Sequence, residues 1–418
     1  MAVMLNQYLW TAGYAFTSGG FLAYWASHLG AEGFEISLIL AMPDLLGAFG
    51  LLTPLLLAMG LRVKTVWWTN VLFSRSFLLA AFLLVSFSEQ LTQQRLILIA
   101  LLFALSQITQ SLSFVSLLSW LPQLDLQSSW GRLFASTQMA KAISLLIMPP
   151  LVVFLRSLAQ QQDSAETLEQ FYLYGGILGI TLQLCSTLPL LWLKSQRHPP
   201  EAPSHASTPL TLWQTFLQVW QSRESRLLLL GFAWLSAFQG LTQAPFYLYQ
   251  IRNLGVGLTE YFLMAGLMYG IQAVLSPLIG RLCDRGRARQ TLLIGLFIAS
   301  TGVAGYLLAS REMHWPVWLT YTCWGMFAAV NIAGQVLIWN SLPEQSHPTI
   351  VAWFRMLSST IAGLFGLLGG LWLDYLIQQY GITTSRPYLL LISISLAGRY
   401  ASLLIFQRLK QGKSTPAN

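Results

Sequence analysis

The sequence predicts an all-α integral membrane protein in which twelve transmembrane helices form two pseudo-symmetric six-helix bundles. Three observations predict this class: the composition, a series of long apolar runs, and an internal repeat. Hydrophobic residues make up 55% of the 418-residue chain and charged residues only 9%. Soluble proteins carry about 25% charged residues. A chain this apolar needs lipid as its solvent.

Twelve apolar runs are each long enough to cross a bilayer as a helix, which takes about 20 residues. The runs lie near 8–28, 35–59, 65–88, 95–119, 131–155, 170–193, 226–249, 256–280, 288–309, 314–338, 350–376 and 385–408. Helices are favoured over a β-barrel, because the runs lack the alternation of a strand and are longer than tilted strands.

Lysine and arginine are distributed unevenly over the connections between these runs. If the N-terminus is cytoplasmic, the cytoplasmic connections hold Arg62, Lys64, Arg132, Lys194, Arg197, Arg223, Arg226, Arg281, Arg285, Arg287, Arg289, Arg408, Lys410 and Lys413. The opposite side holds only Arg95, Arg156, Arg252, Arg311 and Arg386. This positive-inside bias predicts that both termini are cytoplasmic. The net charge of +8 therefore reflects topology, and we expect no nucleic-acid role. The short connections suggest the inner membrane of a bacterium.

The longest polar connection, 194–225, is rich in Pro and Ser and separates six runs from six. It divides the chain into an N-terminal bundle (1–193), a cytoplasmic linker (194–225) and a C-terminal bundle with a short cytoplasmic tail (226–418). Near the end of the linker, the segment LTLWQTFLQVW allows two structural interpretations. It is either a short amphipathic helix at the membrane surface or the extended start of the seventh span.

The two halves also align with each other, which indicates an internal duplication. A shift of 223 residues matches Thr53-Pro54-Leu55 with Ser276-Pro277-Leu278 and Arg62 with Arg285. A similar shift pairs Arg132 with Arg355. Prolines and basic loop residues that match at nearly one offset are harder to obtain by chance than matching apolar runs.

The segment GRLCDRGRAR, at 280–289, gathers four arginines and one aspartate after the eighth run. It resembles the cytoplasmic signature loop of the major facilitator superfamily, roughly G-x-L-x-D-R-x-G-R-R. The matching residues are Gly280, Leu282, Asp284, Arg285 and Arg289, whereas Gly286 comes one position early and displaces Arg287. The resemblance implies the two-bundle fold of that superfamily and solute transport by alternating access.

Physical chemistry gives this loop a role as a gate. A glycine such as Gly280 lets a second helix pack closely. Asp284 can accept hydrogen bonds from the N-terminus of a neighbouring helix or pair with a basic residue on it. Arg285, Arg287 and Arg289 can hold the loop at the anionic leaflet. The alternative is a basic loop that only sets topology. The first-half copy has Leu61 in place of the acid, so a latch is expected in one half only.

Ionisable residues inside a membrane helix are functional candidates by default. Asp44, Arg75 and Lys141 lie deep in the second, third and fifth runs. Asp44 is about 14 Å from the start of its run at 1.5 Å per residue. A salt bridge between Asp44 and Arg75 is feasible, and the group is either a static ion pair or a site that responds to protons or substrate. Arg355 is expected near a span end, and Pro43 is expected to break the second helix locally.

The resemblance implies that the first, fourth, seventh and tenth helices line a central cavity. These runs carry amides and aromatics, which suit a neutral or amphipathic organic solute. The alternative is that the amides tie helices together. The candidate pathway residues are Tyr14, Thr17, Tyr24, Gln107, Gln110, Gln239, Gln243, Trp324, Asn331 and Gln335.

The expected function is a secondary active transporter that moves a small organic solute, with protons as the coupling ion and Asp44 as the first candidate carrier. No P-loop, metal-ligand spacing or catalytic constellation is evident, so no enzyme activity, metal or cofactor is expected. The expected partners are the solute, protons and the lipid bilayer, and the protein is expected to be a monomer. The alternatives are a non-transporting receptor or scaffold on the same fold, and a drug-efflux antiporter.

Overall fold

A computed structural model of the protein describes residues 2–17, 20–28, 33–86, 93–120, 130–160, 165–192, 212–341, 347–381 and 384–410. Every regular element in these ranges is a helix. Nine stretches of the described chain are long and apolar enough to cross a membrane, and Thr259–Leu308 covers the eighth and ninth predicted spans together. The all-helical membrane class is therefore confirmed.

We label the helices α1 to α12 after the twelve predicted spans. In the first half they are α1 (Ala2–Tyr14 and Gly20–His28), α2 (Gly33–Leu45, a 3-10 turn at Leu46–Leu51, and Leu52–Ala58), α3 (Val63–Ser86), α4 (Gln93–Trp120), α5 (Trp130–Gln160) and α6 (Ala165–Cys185 and Leu188–Leu191).

In the second half they are α7 (Arg223–Leu241, Gln243–Leu248 and a π-turn at Tyr249–Leu254), α8 (Leu258–Leu282, with a π-turn at Cys283–Arg287), α9 (Ala288–Gly302 and Ala304–Leu308), α10 (Trp315–Trp324 and Phe327–Asn340), α11 (His347–Tyr380) and α12 (Arg386–Phe406).

A separate short helix, Leu212–Gln221, precedes α7. The chain bends at Ser222, which has extended backbone angles and whose side chain accepts a hydrogen bond from the Ser225 N–H. This N-cap begins α7 at Arg223, so the segment is not an extended start of the seventh span. The rest of the linker, 194–211, and the tail from 411 lie outside the described residues.

Helix α2 changes its geometry near its middle. The helix continues through Pro43 to Leu45 and then tightens into the 3-10 turn Leu46–Leu51. The predicted break at the proline therefore comes three residues later. A 3-10 turn alters the backbone hydrogen bonding, and the Gly47 carbonyl accepts a hydrogen bond from the Ser111 hydroxyl of α4 at 2.8 Å.

Two long seams join the halves: α2 packs along α11, and α5 packs along α8. The internal repeat relates these seams, because a shift of six helices turns the α2–α11 pair into the α8–α5 pair. Buried apolar clusters continue across both halves. One cluster joins Ile36 and Leu40 of α2 to the outer part of the second half, and another joins Phe134 of α5 to its inner part. We call the end that contains Ala2 and Phe406 the inner end.

Candidate functional site: a cavity between the two halves

A cavity of about 620 Å³ lies between the two halves. Helices α2, α4 and α5 contribute its wall from the first half, and α7, α10 and α11 contribute from the second. The cavity reaches toward the inner end, because Phe134, Trp339 and Phe354 belong both to its wall and to the inner apolar cluster. Its lining residues are Asp44, Phe114, Leu118, Phe134, Phe232, Ser236, Gln239, Gly240, Gln243, Asn331, Gln335, Ile338, Trp339, Phe354, Arg355, Ser358, Ser359 and Ala362.

Four of the predicted pathway amides lie on this wall. Gln239 and Gln243 face the cavity from α7, and Asn331 and Gln335 face it from α10. Each pair is spaced i, i+4, which places both side chains on one face of a helix. The regular helix of α7 stops at Leu241 and resumes at Gln243. Gln243 Nε2 donates to the Leu40 carbonyl at 3.4 Å, while its buried Oε1 has no hydrogen-bond partner among the described residues.

The charged part of the wall consists of Asp44 on α2 and Arg355 on α11. The two side chains attract each other electrostatically, although no ion pair within 4 Å joins them in the described residues. The Asp44–Arg75 salt bridge, which the sequence left as feasible, is not formed in the described residues. Arg75 is buried, and its Nη2 donates instead to Gln110 Oε1 of α4. The expected position of Arg355 near a span end is wrong, because this residue faces the cavity.

Two further cations lie in the membrane helices outside the cavity wall. Lys141 on α5 is partly buried and repels Arg355 electrostatically. Arg399 on α12 is 4% exposed. Its Nε donates to Ser395 Oγ at 3.1 Å and its Nη2 to Thr242 Oγ1 at 3.4 Å. Arg399 is therefore buried within the second half, and it contacts the interruption of α7 beside Gln243.

The remaining pathway candidates lie away from the cavity wall. Thr17 is buried, and its hydroxyl accepts a hydrogen bond from Gln183 of α6 at 3.0 Å. Tyr14 is exposed and stacks on Trp10 with 4.9 Å between ring centroids. Gln107 is partly buried and is not a lining residue. Helix α1 contributes no lining residue in the described part of the chain, which corrects the expected set of cavity helices.

Tyrosines pack together between the halves at the outer end. The Tyr24 hydroxyl of α1 donates to the Val256 carbonyl at 3.4 Å, and the Tyr24 and Tyr261 ring centroids are 5.8 Å apart. The Tyr261 hydroxyl is hydrogen-bonded to that of Tyr247 at 3.1 Å. Trp324, the remaining candidate on α10, packs against Tyr321 at 5.2 Å. Tyr24 and Trp324 thus belong to an aromatic layer rather than to the cavity wall.

The loop after α8 contacts the first half at the inner end. Asp284 Oδ1 accepts a hydrogen bond from the Gly131 N–H, at the start of α5, at 3.1 Å. An aspartate is favourable here because a helix N-terminus carries free N–H groups and a partial positive charge. A Cβ added to Gly280 would lie 2.6 Å from the Ala135 Cβ and 2.9 Å from the Gly131 carbonyl oxygen. Only a glycine allows this approach of α8 to α5.

The arginines of this loop differ in burial and in their contacts. Arg285 and Arg287 are exposed, whereas Arg289 is partly buried and donates to the Gln407 carbonyl at the end of α12. Gly286 has a φ of +77°, in the left-handed region where glycine is favoured. The early glycine therefore makes the turn between α8 and α9, and Arg287 follows it on the exposed side.

Comparison with known proteins identifies the family. The profile of the Major Facilitator Superfamily matches residues 3–367. The chain belongs to the Major Facilitator Superfamily. A 138-residue segment, 32% of the chain, is 27% identical to an uncharacterized MFS-type transporter, YitZ of Bacillus subtilis strain 168, and covers 82% of that protein.

Solved structures show the same superfamily fold at low sequence identity. The nucleoside transporter NupG has a TM-score of 0.64 at 14% identity, over 98% of each chain. The human organic anion transporter MFSD10 has a TM-score of 0.60 at 12% identity, over 97% of this chain and 98% of that one. PepTSo2 has a TM-score of 0.61 at 12% identity, over 97% and 96%. The resemblance to the superfamily is thus confirmed, and the protein is a multi-pass membrane transporter.

In this superfamily member, Arg355 is the main functional candidate that the sequence reasoning missed. The predicted span 350–376 placed Arg355 near a span end, which suggested an interfacial position. Helix α11 begins at His347, three residues before the predicted span, so Arg355 lies about 12 Å along the helix at 1.5 Å per residue. Counting depth from the helix start could have found it.

Proposed function

We propose that this protein is a secondary active transporter that moves a small, amphipathic organic solute by alternating access. The observation that carries the proposal is the cavity of about 620 Å³ between the halves, with four amides, Asp44 and Arg355 on its wall. Ligand pockets of proteins have volumes of about 300–1,000 Å³ and combine apolar walls with a few polar groups. Phe114, Phe232 and Trp339 supply the apolar part here.

The contacts at the two ends support a rocking motion of the halves. At the outer end, Tyr24 reaches Val256 across the halves. At the inner end, Asp284 reaches Gly131. The hydrogen bond described at each end contributes only about 1 kcal/mol net. Either contact can therefore break without unfolding a bundle. We propose that Asp284 is a latch for the inner end, with Gly280 and the loop arginines as its supports.

We further propose that protons drive transport and that Asp44 carries them. Asp44 is the one acid on the described cavity wall, and its carboxylate has no hydrogen bond or ion pair within 4 Å in the described residues. A carboxylate that lacks close partners inside the membrane is a functional candidate. Arg75 and Lys141 are off the wall, and we assign them to bundle packing and to the electrostatics of the site.

The test is solute flux into proteoliposomes with and without a pH gradient, after a screen of small organic solutes by thermal shift in detergent. We expect Asp44→Asn to abolish the stimulation by the pH gradient. The matched control is Asp374→Asn, which removes an acid from α11 outside the cavity wall and should leave the stimulation in place.

Two results would count against this function. Unchanged stimulation in Asp44→Asn removes Asp44 as the proton carrier. Solutes that raise the melting temperature but show no flux under any gradient favour the alternative of a receptor on the same fold.

A further inference from the structure

Arg355 presents a free guanidinium to the cavity. The side chain is exposed even though it lies in the middle part of the protein between the halves. Its guanidinium carbon lies 3.8 Å from the ring centroid of Phe114 on α4. An aromatic ring against its face orients the planar guanidinium and leaves the N–H groups along its edge available for hydrogen bonds. No N–H group of Arg355 has a hydrogen-bond acceptor within the described residues.

The charges around Arg355 leave the site with an excess of positive charge. Asp44 attracts Arg355, and Lys141 repels it. The other residue that faces it electrostatically is Tyr14, a neutral phenol. Two cations therefore face one carboxylate in the described chain. An unpaired charge inside a membrane protein typically marks a pathway for substrate or ions, and the excess positive charge makes the site complementary to one further negative charge.

The other side chains of the cavity wall indicate the chemistry of the uncharged part of the ligand. Phe134, Phe232 and Phe354 offer apolar surface, while Asn331 and Gln335 expose their amides. A ligand with a flat apolar body and one oxyanion would satisfy both parts. A single charge fits better than a phosphate monoester, which carries about −1.5 to −2 at neutral pH.

We propose that the substrate is an amphipathic organic monoanion whose carboxylate binds the edge of Arg355. The guanidinium and a carboxylate match in a bidentate geometry. In the absence of substrate, Asp44 competes for the same guanidinium, so neutralising Asp44 strengthens binding of the anion. This inference rests on the proposed function, since it takes the cavity as the transport site.

The experiment is a calorimetric titration of the purified full-length protein in detergent at pH 7.5. The probes are 2-naphthoate, the isosteric neutral 2-naphthamide, and the cation 2-naphthylmethylammonium. We expect 2-naphthoate to bind at least about tenfold more tightly than 2-naphthamide, since hydrogen bonds between charged groups are the strong ones. The cation should bind most weakly.

Variants separate the role of Arg355 from a general effect on folding. Arg355→Gln should remove the preference for 2-naphthoate while 2-naphthamide binding changes by less than about threefold, and Asp44→Asn should tighten 2-naphthoate binding severalfold. The matched control is Arg62→Gln, which removes an exposed arginine outside the cavity wall. It should retain the preference.

The proposal is overturned if 2-naphthoate does not bind, if it binds no better than 2-naphthamide, or if the preference survives in Arg355→Gln. Flux in proteoliposomes separates this failure from a failure of the proposed function. A preference for the anion without flux of any solute contradicts transport alone. Flux of an uncharged solute that Arg355→Gln leaves intact contradicts the anionic substrate alone.

Discussion

The loop between α8 and α9 and its repeat-related loop between α2 and α3 differ in what they contact. In the second half, Asp284 crosses to the N-terminus of α5 in the other half, at 3.1 Å from the Gly131 nitrogen. Gly280 allows the two helices to approach closely enough for this contact. The loop therefore joins the two halves at the inner end.

The hydrogen bonds described for the first-half loop lie within its own half. Leu61 stands at the position of the acid and is 47% exposed. Gly60 has a φ of +85°, and a Cβ added to it would meet nothing within 4 Å. Lys64 donates to the Leu191 carbonyl of α6 and lies 5.7 Å from a ring centroid of Trp120. One repeated hairpin thus bridges the halves through Asp284, while the hydrogen bond described for its copy joins two helices of one bundle.

The largest effect on solute flux is expected at Gly280, where α8 packs most tightly against α5. Gly280→Ala places a Cβ 2.6 Å from that of Ala135, and overpacking of this kind costs about 1–3 kcal/mol. Solute flux in proteoliposomes should fall by about tenfold. The control is Gly257→Ala, because a Cβ at Gly257 meets nothing within 4 Å. Equal flux in the two variants would show that the α5–α8 approach is not needed for closure.

A smaller effect is expected when the charge of the latch is removed. Asp284→Asn retains a carbonyl oxygen that can accept the Gly131 N–H but loses the attraction of a carboxylate to the helix N-terminus, worth about 0.3–1 kcal/mol. Flux should fall about two- to fivefold, with an unchanged yield in the membrane fraction. Asp284→Ala should reduce flux further, because the acceptor is also lost. Full flux in Asp284→Ala would refute the latch.

The smallest effect on solute flux is expected in the first-half loop between α2 and α3. Leu61→Asp restores the acid of the signature to the first half at an exposed position. Exposed substitutions usually change stability by less than about 0.5 kcal/mol, so flux should stay within about twofold of the unmodified protein. A change as large as that of Asp284→Asn, measured in the same vesicles, would mean that both loops act on closure and that the asymmetry is only apparent.

Much of the fold followed from local properties of the sequence. The length of each apolar run predicted a spanning helix, because the bilayer excludes backbone groups that are not hydrogen-bonded within the helix. The four cavity amides were predicted as pairs on single faces of α7 and α10, since i, i+4 spacing is a property of one helix. Their contact with a substrate stays a prediction.

The expectations that differ from the structure concern which side chains of different helices lie next to each other. A salt bridge between Asp44 and Arg75 was considered feasible, because a hairpin places their two helices side by side. The structure instead brings α11 beside α2, so that Arg355 shares the cavity with Asp44. Tyr24 and Trp324 were read as pathway residues, but their rings pack in the aromatic layer of the outer end.

The sequence by itself determined the membrane class, the helical elements, the difference in sequence between the two inner loops, and the acid Asp284 as the candidate contact between the halves. Each follows from the hydrophobicity, spacing or residue type of one segment. Only the tertiary structure decided which charges face one another, which helices surround the cavity and which aromatic side chains pack at the outer end. The physical reason is that helix rotation and neighbour choice depend on the sum of many weak packing contacts between distant segments.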